Sequence, residues 1–210
     1  LTGIGTVLGN YILILARGQL LLTCALAMLL SVILGMGLPC TGVYIVMATL
    51  VAPVLTRFGV PVIAAHLFCF YYGIMASITP PVAIAAYAGA GIAQCNPAKA
   101  GWISFRIAFP GLLVPYVFVY NSSILLVTGA PLWETVSTLF TAVAGITMLC
   151  MAFEQFAAYP MRRWESVLLG TAGFLLVIPG IRTDLFGLLA AAVIITRQLL
   201  IRRKQRAEGS

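Results

Sequence analysis

Apolar residues run along this chain in long blocks, and ionisable residues sit in the gaps between them. The stretches 107–133, 135–153 and 166–181 hold no charged side chain at all. A helix rising 1.5 Å per residue needs roughly 20 residues to cross a hydrocarbon core of ~30 Å, and these stretches are of that order. They are apolar all round, whereas a membrane strand would alternate polar and apolar positions over segments of about ten residues. The pattern therefore predicts helices. Ordinary spans are expected at about 107–128, 133–156, 164–181 and 184–201, the last three separated by Tyr159-Pro160-Met161-Arg162-Arg163 and Gly180-Ile181-Arg182-Thr183-Asp184. Residues 1–16 form a further apolar stretch ended by Arg17 and Gly18, either an interfacial helix or the tail of a preceding span.

Two apolar regions are interrupted in the middle. In 20–56, arms at about 20–34 and 43–56 flank Gly35-Met36-Gly37-Leu38-Pro39-Cys40-Thr41-Gly42. Each arm is short for a span, and glycine with proline stops helix propagation where lipid could not satisfy the freed backbone. A re-entrant hairpin with its tip inside protein fits; two ordinary spans joined by a surface turn remain the alternative. In 62–95, apolar segments from Val62 to Ile78 and from Val82 to Ala93 flank Thr79-Pro80-Pro81. Tandem prolines remove two backbone donors, so a discontinuous helix is expected there, with a simple proline kink as the alternative. The more polar stretch 97–106, with Pro97, Lys99 and Arg106 following Asn96, reads as a connection.

Composition agrees with a lipid environment. Of 210 residues, 62% are hydrophobic and 8% charged, and mean hydropathy is +1.09, against roughly 25% charged residues in soluble domains. The net charge of +7 would suggest nucleic acid in a soluble protein, but the basic residues cluster at helix ends. With the tail (Arg202, Arg203, Lys204, Arg206) in the cytoplasm, Arg162, Arg163, Lys99 and Arg106 fall on the same side, leaving Arg182, Arg57 and Arg17 opposite. The tail then orients the protein and meets anionic headgroups; no nucleic-acid partner is expected. The chain opens on residues that already look like the inside of a membrane protein, so it is expected to be part of a longer one.

Catalytic chemistry is sparse. The acidic residues are Glu134, Glu154, Glu165, Asp184 and Glu208, and all but Glu154 fall at expected interfaces or in the tail. Glu154 lies near the end of its span, within reach of Arg162 or Arg163, with a proton-relay role as the sharper alternative. His66, the one histidine, reads as a packed or interfacial residue before it reads as a ligand. The five cysteines show no C-x-x-C pair, so neither a disulfide framework nor a structural metal is expected. The two interruptions are better candidates: unwound backbone inside a membrane leaves carbonyls free for a cation and helix N-termini free for an anion, and Ser77, Thr79 and Thr41 could add hydroxyl oxygens.

Four segments together closely resemble the large permease subunit of TRAP (tripartite ATP-independent periplasmic) transporters: Leu34-Gly-Met-Gly-Leu-Pro-Cys-Thr-Gly-Val-Tyr-Ile45, Ala64-Ala-His-Leu-Phe-Cys-Phe-Tyr71, Ile78-Thr-Pro-Pro-Val-Ala83 and Phe118-Val-Tyr-Asn121. The resemblance covers about 1–128. The remainder, 129–210, is more weakly similar to the C-terminal extension of some fused permeases.

That resemblance implies an all-α membrane fold, half of an inverted-repeat elevator transporter. It implies import of small organic acids or related solutes driven by Na⁺ or another cation, without other cofactors and without enzymatic activity. The implied setting is the bacterial inner membrane. The implied partners are a periplasmic solute-binding protein and the rest of the fused permease, whose first repeat and small-subunit region lie outside this sequence. Gly35, Gly37, Pro39, Cys40 and Thr41 would form the hairpin tip, and Ser77, Ile78, Thr79, Pro80 and Pro81 the facing break, with Na⁺ at Gly37, Thr41 and Thr79. Family members commonly carry a hydroxyl residue at the position of Cys40, which puts a side-chain ligand there in doubt. A Na⁺/carboxylate elevator that needs no binding protein is the alternative, and a membrane enzyme or purely structural subunit resting on Glu154 and His66 is the reading from another class.

Overall fold

Proline and glycine set the ends of the helices in this protein. A computed structural model describes residues 11, 14–36, 38–126, 129–157, 159–177, 187–194 and 196–198; these residues are helical with short connections and contain no strand, only an isolated bridge between Phe156 and Pro160. The chain divides into two compact units, Leu1–Leu125 and Leu126–Ser210.

In the first unit, α1 (Leu20–Gly35) stops where Met36, Gly37 and Leu38 precede Pro39. Helix α2 (Cys40–Leu50) starts with Pro39 as its N-terminal cap residue, whose carbonyl accepts the Val43 amide at 3.0 Å. A turn at Val51 leads into α3 (Ala52–Arg57). Pro53 falls in the first turn of α3, where no amide is needed, and the Val51 carbonyl still accepts the Val54 and Leu55 amides at 3.0 Å. The arm expected at 43–56 is therefore longer than the sequence pattern indicated: Cys40–Arg57 makes one 18-residue apolar helical stretch, long enough to cross a membrane.

Helix α4 (Val62–Met75) runs into a 3₁₀ turn, Ala76–Ile78. The chain then breaks at Thr79-Pro80-Pro81, with a cis bond between the prolines, and resumes as α5 (Ile84–Ile92). The discontinuity expected from the tandem prolines is a full interruption of the helix here, not a bend.

The connection expected over 97–106 is itself helical. Asn96 accepts the Lys99 amide on its Oδ1 at 3.1 Å and Pro97 occupies the first turn, a strong helix start, so α6 spans Pro97–Ala108. A 3₁₀ segment (Phe109–Leu113) and α7 (Val114–Tyr120) follow, giving an apolar helical stretch over Pro97–Tyr120 of 24 residues. It ends before the expected boundary at 128, because Asn121 leaves helical geometry and uses its Oδ1 to accept the Ser123 amide.

The core of this unit lies on α4. Tyr72 and Phe68 are fully buried, their rings edge to face at 4.8 Å, among Met47, Val43, Leu55 and Cys69. Pro115 deprives the Gly111 carbonyl of its i+4 amide and the Leu112 carbonyl of its i+3 amide. Two tyrosines of α4 supply donors there: Tyr71 donates to Gly111 at 2.9 Å, beside the Val114 amide that this carbonyl also accepts, and Tyr72 donates to the buried Leu112 at 2.5 Å. A buried carbonyl left without a donor costs about 1–3 kcal/mol, so this pairing ties α4 to the 3₁₀ segment.

The second unit is built on α8 (Leu132–Glu154), 23 residues and apolar enough to span, and α9 (Arg163–Val177). They approach at glycine: a Cβ on Gly145 would lie 2.8 Å from the Gly173 carbonyl oxygen, and one on Gly173 would lie 2.7 Å from that of Gly145. Small residues admit such backbone contact between membrane helices. Residues 187–194 are helical, and Gly187 meets the Leu176 side chain and Ala172 carbonyl of α9. The expected spans 164–181 and 184–201 lie in part outside the described residues.

Candidate functional site

The two interruptions meet in space. A Cβ on Gly35 would stand 2.1 Å from the Ala76 Cβ, far inside any real contact, so the end of α1 lies directly on the 3₁₀ turn that ends α4. Beside it, the carbonyl oxygen of Cys40 is 3.4 Å from where a Cβ of Gly73 would sit, which places the start of α2 on the last turn of α4. Gly35, Gly73 and Ala76 are buried, and Val43 fills the space between them. Sequence reading singled out Gly35; Gly73 and Ala76 were missed, although small residues just ahead of a proline break are the signal of a close backbone approach.

Backbone chemistry at this junction follows from where the prolines stand. Pro39 removes the i+4 amide of Gly35. Pro80 and Pro81 remove the i+3 amides of Ser77 and Ile78, and Pro81 also removes the i+4 amide of Ser77. Three other carbonyls here find donors: Ala76 accepts the Thr79 amide at 3.2 Å, Thr79 accepts the Ala83 amide at 3.1 Å, and Pro81 accepts the Tyr87 hydroxyl at 2.6 Å. Among the described residues no hydroxyl or amide does for Ser77 and Ile78 what Tyr71 and Tyr72 do at Gly111 and Leu112. Two carbonyl-bearing helix ends, each carrying the negative end of a helix dipole, thus abut at Gly35 and Ala76.

The hydroxyls are distributed unevenly. Thr79 is 5% exposed and donates to the Met75 carbonyl at 2.8 Å, which leaves its oxygen lone pairs free to accept or to ligate. Ser77, half-buried, donates to Ile74 at 2.7 Å. Thr41 is exposed in the first turn of α2, and Pro39 is exposed just before it, so Thr41 and Thr79 sit in different surroundings. Cys40, Ile78 and Pro80 are half-buried and Pro81 is exposed. Gly37, assigned to the cation by the family resemblance, lies outside the described residues. The donors gathered here are neutral oxygens, the hard ligands that suit an alkali or alkaline-earth cation better than a transition metal. Among the described residues no three His, Cys, Asp or Glu side chains gather to form a metal site.

The remaining candidates have ordinary roles. His66 lies on α4 with its Nδ1 3.1 Å from the Tyr44 hydroxyl of α2, a hydrogen bond whose donor follows the imidazole tautomer, and Tyr44 stacks edge-on with Phe70. Glu154 is the exposed last residue of α8. The anchor of the second unit is Glu165, which sequence reading left at an interface: it is 2% exposed, accepts the Arg162 amide at 2.7 Å, and pairs with Arg197, whose guanidinium lies over the Trp164 ring at 4.8 Å. Cys24 and Cys69 are buried in the core as small apolar residues.

Residues 1–133, more than half of the chain, match the family model described as tripartite ATP-independent periplasmic transporter, DctM component. No curated protein and no solved structure matches.

Proposed function

Since the chain belongs to the DctM component family of the tripartite ATP-independent periplasmic transporters, we propose that residues 1–128 form the second repeat of an elevator-type importer and hold a coupling cation, Na⁺, between their two interruptions. Membership of that family makes the protein part of a membrane permease and not an enzyme, working with a periplasmic binding protein. The finer reading rests on one observation above the others. Gly35 and Ala76 touch at a buried junction, which sets the end of α1, where Pro39 removes an amide donor, against the turn that leads into Ser77, Ile78 and the buried Thr79, where Pro80 and Pro81 remove others.

A cation there would replace the lost amide donors, and its binding would join α1 to α4 more firmly. Anionic substrate, a small organic acid, would be drawn by the uncapped N-termini of α2 and α5, where the dipoles are positive and no side chain caps the first turn. Residues 129–210 serve as an accessory membrane region. The protein sits in the bacterial inner membrane with its basic tail in the cytoplasm, and the rest of the fused permease supplies the first repeat.

Uptake of a radiolabelled organic acid into proteoliposomes carrying the full fused permease tests this reading. Uptake is expected to require both an inward Na⁺ gradient and the purified binding protein. Sodium-driven uptake without the binding protein would identify a binding-protein-independent carboxylate carrier instead, and uptake indifferent to sodium would remove the cation from the mechanism.

A further inference from the structure

The break between Ile78 and Ile84 is held in shape by a side chain outside it. Tyr87, one turn into α5, reaches back and donates its hydroxyl to the Pro81 carbonyl at 2.6 Å. Its ring has room because α6 carries glycine opposite: a Cβ on Gly101 would lie 2.9 Å from the Tyr87 Cε1 and 3.4 Å from the Ala83 Cβ. Ala83, fully buried, has φ of +32°, a left-handed conformation that non-glycine residues adopt only when their surroundings impose it. Three contacts impose it: the Thr79 carbonyl takes the Ala83 amide, the Ala83 carbonyl takes the Tyr87 amide at 2.9 Å, and Gly101 closes over both side chains.

We propose that Tyr87, seated against Gly101, is a positioning residue for the cation site, acting through the Pro81 carbonyl to fix which backbone oxygens face the junction with Gly35. The proposal rests on the cation reading given above. Tyr87 does two things there. It withdraws the Pro81 carbonyl from the set of available oxygens, which keeps those of Ser77 and Ile78, freed by the tandem prolines, and that of Pro80. It also anchors the left-handed turn at Ala83, so that Thr79 keeps its buried place at the end of the 3₁₀ turn. Without the phenol, the loop gains freedom and a cation must order it on binding, which weakens binding without touching any ligand.

The test uses the full-length permease in detergent, titrated with NaCl at constant ionic strength against choline chloride, with melting temperature as the readout. Wild type, Tyr87→Phe, Gly101→Ala and Thr79→Val are compared. Tyr87→Phe is expected to raise the sodium concentration for half-maximal protection roughly fivefold, as the loss of one net hydrogen bond implies, and Gly101→Ala to shift it the same way by displacing the ring. Thr79→Val is expected to abolish protection. If Tyr87→Phe lowers the sodium-free melting temperature but leaves the half-saturating concentration unchanged, Tyr87 is structural only and the inference is overturned while the site stands. If Thr79→Val keeps full protection, or the wild type shows none, the cation reading fails and the inference with it.

Discussion

Gly35→Ala is expected to destabilise the permease by about 1–3 kcal/mol, the usual penalty for forcing one extra carbon into a packed site, and Ala76→Gly in the same chain is expected to restore most of it. The methyl added at Gly35 would overlap the Ala76 methyl at 2.1 Å. Neither backbone can withdraw freely, because the same face of α1 is packed in the core along its length, with Cys24, Ala27 and Met28 in one cluster with Phe68, Tyr72 and Tyr116. Ala76→Gly alone should cost only about 0.5–1 kcal/mol through backbone entropy. The double variant should therefore be more stable than Gly35→Ala, a coupling that contacting residues show and distant ones do not. Chemical unfolding of the four proteins measures it. A double variant that loses the sum of the two single effects would show that the two interruptions do not touch.

The second large effect belongs to the other unit and should be asymmetric. Arg197→Met is expected to cost about 3–5 kcal/mol, because it strips the partner from a carboxylate that is 2% exposed. Glu165→Gln should cost less, on the order of 1 kcal/mol. Arg197 keeps 35% of its surface and the Trp164 ring beneath its guanidinium, and the glutamine can still accept the Arg162 amide. Thermal unfolding of the two variants ranks them, and equal losses would mean that the charge at Glu165 is hydrated in the folded protein. The pair ties the start of α9 to the helix bearing Arg197, so Arg197→Met should also open the segment around Glu165 to hydrogen exchange.

What could be read in advance was the punctuation of the chain. Proline lacks an amide and glycine lacks a Cβ wherever they fall, so Gly35, Pro39, Pro80 and Pro81 marked interruptions without reference to any partner. Asn96 with Pro97 is equally legible as a helix start, yet Lys99 and Arg106 make the stretch polar, and polarity by itself favours a connection over the helix α6 that forms there. The tyrosines were out of reach. Tyr71 and Tyr72 bond to carbonyls 40 residues away, and nothing local in a sequence says which proline-freed oxygen a distant phenol will fill. The partner of Glu165 was out of reach for the same reason, since Arg197 is 32 residues on. Periodicity reports which face of a helix is apolar; it does not report which helix comes to meet it.

Resemblance and structure contribute different parts to the candidate site. The motifs in Leu34–Ile45 and Ile78–Ala83 named the residues, and the contact of Gly35 with Ala76 joins the two motifs without reference to any relative. Thr41, which resemblance paired with Thr79, is exposed whereas Thr79 is buried, so in the proposed site the oxygens drawn from this chain would centre on Thr79 and the freed carbonyls.

The most direct test of a cation at that junction is sodium-dependent protection of the full-length permease against thermal unfolding, compared between wild type and Thr79→Val. A ligand that binds only the folded state stabilises it by RT ln(1 + [L]/Kd), so the melting temperature of the wild type should climb with NaCl but not with choline chloride, and that of Thr79→Val should stay flat. Identical sodium-dependent protection in both proteins would place the cation elsewhere and contradict the account.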